Sequence, residues 1–209
     1  MLLLGACAAR RANEVATPLP STGGSVQEFA AAVAKDSQAS DTEDDAKMRE
    51  RLAAHALAES QACLTLAPQA PACLYYRGVA LGLEARAHPL RANDLLKSML
   101  ESLSAAEVAD PNYDKAGPER VKALVLVRAP SWPLGPGDTD SGVIEAQKAV
   151  QLEPTHPPNQ LALAEALSKS GAEGAARQAY QRARELAQAL PASSERDDWL
   201  KQADQGLRH

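Results

Sequence analysis

Three prolines constrain this chain more than any other feature. Pro68, Pro111 and Pro154 recur at a spacing of 43 residues, within "CLTLAPQAP", "AEVADPNYD" and "AVQLEPTHP". In each, an apolar stretch with helical spacing runs into a proline. The ring removes a backbone donor and crowds the preceding turn, so one helix stops and the next starts within a few residues. A fixed period of this length marks stacked helical hairpins, each burying its apolar face on its neighbour. The helical stripes run through Leu74, Gly78, Leu81 and Ala85, then through Leu96, Leu100 and Leu103. No stretch sustains the alternation of a strand. The expected fold is all-α: a right-handed stack of helical hairpins with about seven main helices, closed by a C-terminal helix through Trp199, Leu200 and Ala203.

The third unit resembles the tetratricopeptide repeat residue by residue. Leu163, Ala164, Leu167, Gly171, Ala176, Tyr180 and Ala183 fall where that repeat puts its Leu, small residue, aromatic or Leu, turn Gly, Ala, aromatic and Ala. Ala164 and Ala176 let two antiparallel helices approach closely, and Gly171 permits the turn between them. Gln160 departs from the pattern, standing where the family often has Trp, and Pro191 comes about three residues late. Projected back by one and two periods, Ala164 corresponds to Val121 and Gly78, and Leu167 to Leu124 and Leu81. Counting back from the prolines puts the small residue of the second helix near Gly142 and Met99. Both earlier units therefore carry the same nine-residue excess between their helices, in "RAHPLRANDLLKS" and "APSWPLGPGDTDS". These are expected to be long inter-helix insertions.

The chain opens "MLLLGACAAR", where Leu4, Gly5, Ala6 and Cys7 resemble a bacterial lipobox. That reading makes residues 1–7 the end of a lipoprotein signal, with Cys7 the lipidated first mature residue. A full secretory signal has a basic n-region and a longer apolar core, so the signal is partial here. Residues 8–41, with "TPLPSTGGS" among alanines, read as a flexible tether holding at most a short helix around 26–35. Order is expected over 42–209, after the capping-box spacing of Ser40 and Glu43.

Chemistry is sparse. Net charge is -5 and aromatics make up 3 % of the chain, so the basic footprint and stacking rings of nucleic-acid binding are missing. His55, His88, His156 and His209 share no metal-ligand spacing, so neither metal nor cofactor is expected. "GPGDTDSG" lacks the Gly-Lys-Ser/Thr of a phosphate loop and the final Glu of a calcium loop. It reads as a loop ending in an N-cap at Asp138 or Asp140. No nucleophile and base are brought together by a motif, so no enzyme activity is expected. Cys63 and Cys73 flank Pro68 symmetrically. Two readings stand for them: a disulfide, or two small apolar residues in a tight crossing. Trp132, between Pro130 and Pro133, is either an anchor folding its loop back or a contact residue for a partner.

A closer resemblance covers residues 70–190. "PACLYYRGVALGLEAR", "ADPNYDKAGPERVKALVLVRAPSWPLGPGD" and "EAQKAVQLEPTHPPNQLALAEAL" are similar to the T-component of TRAP transporters. The Pro-Ser-Trp-Pro loop, the following Gly-Asp and "EAQKAVQLEP" carry the match. The resemblance implies a lipidated, periplasm-facing, non-catalytic accessory protein that works beside a solute-binding subunit in uptake. Its membrane contact would be the lipid anchor alone. A generic tetratricopeptide scaffold assembling envelope proteins is the alternative. In such stacks the first helix of each unit lines the concave side, which here selects Tyr75, Val79, Gly82 and Leu83, then Lys122, Val125 and Leu126. Most are apolar, so the hollow should take a small apolar or amphipathic ligand. Lys122 and Arg77 would hold an acidic group and Trp132 would close the mouth. The competing expectation is that neighbouring helices fill this space.

Overall fold

The computed structural model describes residues 24–208. Cys7 and the rest of the signal lie outside the described residues, as do the first part of the expected tether and His209. The described residues form nine α-helices and one short 3-10 turn, with no strand; a single isolated bridge pairs Ser131 with Gly137. The fold is all-α.

The recurrent prolines fall in equivalent places. Pro68 lies between α2 (Ala46–Leu66) and α3 (Pro71–Ala87). Pro111 lies between α4 (Ala92–Ala109) and α5 (Gly117–Arg128), and Pro154 between α6 (Thr139–Leu152) and α7 (Pro157–Lys169). Each following helix carries a further proline, Pro71, Pro118 or Pro157, in its first turn, where a missing donor costs nothing. Helices α3 and α4, α5 and α6, and α7 and α8 (Glu173–Gln188) pack as hairpins, and α9 (Ser194–Gly206) covers α8 and α7. Gly171 turns between α7 and α8 at φ 81°, a conformation that costs glycine little. The back-projected small residue Gly142 is buried, and a Cβ there would stand 2.5 Å from Val127 Cγ1 of α5.

The two excess segments behave differently. In the first unit only residues 88–91 separate α3 from α4, and the 3-10 turn Pro89–Arg91 fills most of that span, so the added residues lengthen the helices. In the second, residues 129–138 form a loop, closed where Gly137 N donates to Pro130 O and Asp138 N to Leu126 O. Asp138 then caps α6, accepting from Ser141 N.

From residue 26 on, the tether reading is corrected by α1 (Val26–Thr42), a helix packed on α2 and α3. Phe29, Ala30 and Val33 are buried, and the same stripe continues through Asp36 and Ser40. Those two buried polar residues hid the apolar face. Asp36 Oδ2 lies 2.6 Å from His55 Nδ1, and Ser40 Oγ and O accept from Arg86 Nη2. The capping box is one helix earlier than expected. Ser25 Oγ accepts from Glu28 N and the Glu28 side chain accepts from Ser25 N, whereas Ser40 lies inside the helix.

Cys63 and Cys73 are joined in a disulfide between α2 and α3, with Phe29 packed against it. The symmetric placement about Pro68 thus resolves to a bond rather than to a reduced crossing.

The connection from α4 to α5 is a tight elbow. Asp114, Lys115 and Ala116 follow one another at φ 48°, 54° and 61°. Left-handed backbone in non-glycine residues persists only where surroundings enforce it. Here Arg120 Nη1 donates to Asp114 O, Lys115 O and Asn159 Oδ1, and Asn159 Nδ2 reaches Lys115 O. Asn159 is fully buried, and its amide nitrogen also approaches Ala149 O and Glu153 O. One side chain therefore ties α7 to the elbow and to the end of α6.

Candidate functional site

Among the odd-numbered helices, α1 packs on α3, α5 on α7, and α7 on α9. Helices α3 and α5 do not close up in this way and are bridged chiefly by α4. Near their first turns they are joined through Tyr75, whose Oη donates to Asp114 Oδ2 at 3.1 Å and whose ring meets Tyr76 and Tyr113. Burial, then the Asp114 charge, raises the Tyr75 pKa, so this hydroxyl stays a donor. Further along, the backbones leave a wedge of about 410 Å³.

The wedge is aliphatic. Gly82 and Ala85 of α3 face Val121, Leu124 and Val125 of α5, and Leu96 and Met99 of α4 form the floor. Glycine at position 82 leaves Met99 room to lie beneath the hollow; a Cβ there would sit 3.1 Å from its sulfur. Two guanidinium groups stand at the mouth, and each is already held by acceptors. Arg86 donates to Asp41 Oδ1 and to Ser40, while Arg128 donates from Nε and Nη2 to the two oxygens of Glu165. The hollow can take up apolar surface, and it has no general acid or base inside it.

Of the residues expected to line the concave side, Gly82 and Val125 do so. Tyr75 is buried in the core between α3, α4 and the elbow, with Val79 packed at its edge. Leu83 is buried on the opposite side of α3, with Val33, Ala53 and Ala56. Lys122 is buried between α4 and α6, with Nζ 2.6 Å from Glu107 Oε2 and 2.7 Å from Glu145 Oε1. Lys148 Nζ pairs with the same Glu107. Leu126 faces Gly142 of α6. Arg77 is engaged by Gln61 Oε1, so neither it nor Lys122 serves the hollow.

The reason is angular. One residue rotates a helix position by about 100°, so Val121 and Val125 face the wedge while Lys122 and Leu126 face the neighbouring hairpin. Trp132 is 87 % exposed and Leu134 77 %; neither lines the wedge, whose loop contribution comes from Ala129 and Pro130. Trp132 is thus neither a buried anchor nor a lid. The sequence does not single out the other lining residues as such, Leu124, Met99 and Arg128 among them; the repeat register places Leu124 only as a packing position.

The start of α5 also buries an acid. Glu119 is fully buried in the first turn of α5, and neither carboxylate oxygen has a hydrogen-bond partner among the described residues. Burial raises its pKa and the Glu145 charge adds to this, against the opposing pull of its own backbone N–H and of Lys122 and Arg120. Among the described residues no group of His, Cys, Asp and Glu is arranged to hold a metal ion, and no helix is long and apolar enough to cross a membrane. No family model matches the chain, and no curated protein matches it either.

Proposed function

We propose that this chain is a non-catalytic, tetratricopeptide-like binding protein that holds a small apolar or amphipathic molecule between α3, α4 and α5. The observation that carries the reading is the aliphatic wedge left where α3 and α5 fail to close, a space of the size small ligands occupy. The repeat assignment is supported by the prolines in equivalent connections and by the paired hairpins. The right-handed stack, with residues 129–138 as an insertion in its second unit, belongs to the same reading. The lipobox-like start with Cys7 and the resemblance to the T-component of TRAP transporters extend it. The protein is then exported, lipid-anchored facing the periplasm, and serves a solute-binding subunit in uptake.

Displacement of 1-anilinonaphthalene-8-sulfonate by decanoate tests the wedge. Wild type should bind the dye and release it to decanoate. Val125→Asp, which buries a charge, and Gly82→Leu, which fills the space, should each weaken both by about tenfold or more, equivalent to 1.4 kcal/mol. Equal binding by wild type and by both folded variants would remove the wedge as the site.

A second reading, a scaffold for envelope assembly, is favoured by one observation. The closed loop at 129–138 presents Trp132 and Leu134 to solvent. Large aromatic residues held this way serve protein partners well. Capture of a solute-binding subunit by wild type but not by Trp132→Ser would move the weight to this loop.

A further inference from the structure

A second cavity of about 410 Å³ lies between α5, α7, α8 and α9. Leu124 and Arg128 form the ridge that divides it from the aliphatic wedge, since both line each space. Its character is different. Two aromatic rings, Tyr180 and Trp199, meet Arg128, Glu165, Gln202 and Gln205 around it.

The rings are set by their surroundings. Trp199 stands edge-on to His156, with centroids 5.8 Å apart at 77°. Tyr180 lies on the backbone of α9 at Gly206, where a Cβ would fall 2.3 Å from the ring. The polar groups retain unused capacity. Arg128 spends Nε and Nη2 on Glu165 and leaves Nη1 without a hydrogen bond among the described residues. Tyr180 Oη, Trp199 Nε1 and both glutamine amides likewise make none there. Arg120, which also borders the cavity, is consumed by Asp114, Lys115 and Asn159.

We infer that this second cavity binds a neutral polyhydroxylated solute of mono- to disaccharide size. The Arg128 and Glu165 pair is neutral as a unit, and offers a donor and several acceptor lone pairs side by side. An anion would have to draw Arg128 away from Glu165, and a cation would meet two guanidinium groups. Hydroxyl groups, which both donate and accept, use the pair and the two glutamines without disturbing either. The two rings offer aromatic surface on which the C–H groups of a sugar can pack, whereas an apolar ligand would leave the polar lining without partners of its own. This site stands apart from the apolar wedge, and its success or failure leaves the wedge untouched.

The test uses the full chain carrying Trp132→Phe, so that Trp199 is the remaining tryptophan and reports alone. Glucose, galactose, mannose, xylitol and maltose are titrated against its fluorescence, with glycine and decanoate as counter-probes. At least one hydroxylated probe should give a saturable change at millimolar concentration. Gln202→Ala and Glu165→Ala, each checked by thermal melting, should weaken it by about tenfold, equivalent to 1.4 kcal/mol. No saturable change with the whole panel overturns the proposal. So does equal affinity in both variants, or a response confined to glycine or decanoate.

Discussion

Lys122 Nζ lies 2.7 Å from Glu145 Oε1, and this contact takes the lysine out of the hollow it was expected to serve. The same nitrogen reaches Glu107, so one cation joins α4, α5 and α6. Removing one partner of a buried charge network leaves the others uncompensated, at a cost of about 3–5 kcal/mol. Lys122→Met should therefore lower the urea midpoint markedly while leaving decanoate affinity unchanged under folding conditions. Lost binding with unchanged stability would return Lys122 to the ligand.

Glu119 makes stability depend on pH in an unusual direction. Its folded pKa is raised above the ordinary 4.5, so the folded chain holds this proton more tightly than the unfolded chain. The associated stability is complete below the ordinary value and is lost as pH rises through the folded one. His156 acts oppositely. Burial, then the Arg120 and Lys115 charges, lowers its pKa from 6.5 to about 4, so its contribution is lost as pH falls through that window. Comparing wild type with Glu119→Gln isolates the first effect. The variant should melt higher at pH 8, by about 2–4 °C per kcal/mol of relieved burial, with the gap closing toward pH 4. A gap that stays constant with pH would show that Glu119 has the same pKa in the folded and unfolded chains.

The disulfide closes a short loop, so its loss should be tolerated. Replacing both Cys63 and Cys73 with Ala should cost about 2–3 kcal/mol and leave the helical circular-dichroism signal and a cooperative melt in place. Val33, Ala53, Ala56 and Leu83 hold α1, α2 and α3 together without the sulfur atoms. Collapse of the melt into a broad transition would show that the bond organises this end of the array.

Lipidation at Cys7 predicts that cells fed a fatty-acid analogue label the wild-type protein and not Cys7→Ser. Equal labelling of the two would end the anchored reading.

How much was legible follows from the kind of signal each element carries. The prolines, the turn at Gly171 and the cap at Asp138 are local rules, and they mark the start of α6 and the turn between α7 and α8. Helix α1 escaped because its buried stripe includes Asp36 and Ser40, which read as solvent-facing until His55 and Arg86 arrive from other helices. The hollow was half legible. Gly82 and Val125 lay on the expected side, but the choice between Val121 and Lys122 needed the rotation of α5, which the charges of α4 and α6 fix from outside the helix. Trp132 gave no local clue to its exposure. The hydrogen bonds that close its loop are made by backbone atoms, and their trace in residue type is confined to Gly135 and Gly137, where a Cβ would collide with Pro130 O and Ala129 O.

The elbow at Asp114, Lys115 and Ala116 has a consequence for selectivity. A linker of glycines there would let the two halves of the chain breathe and mould themselves to guests of many sizes. Three left-handed residues, pinned by Arg120 and Asn159, act instead like a welded bracket, holding α3 and α5 at one separation before anything enters. Under the proposed function, the wedge would then work as a gauge of fixed width, admitting molecules by girth and discriminating more sharply against a bulky branch than against an added length of chain.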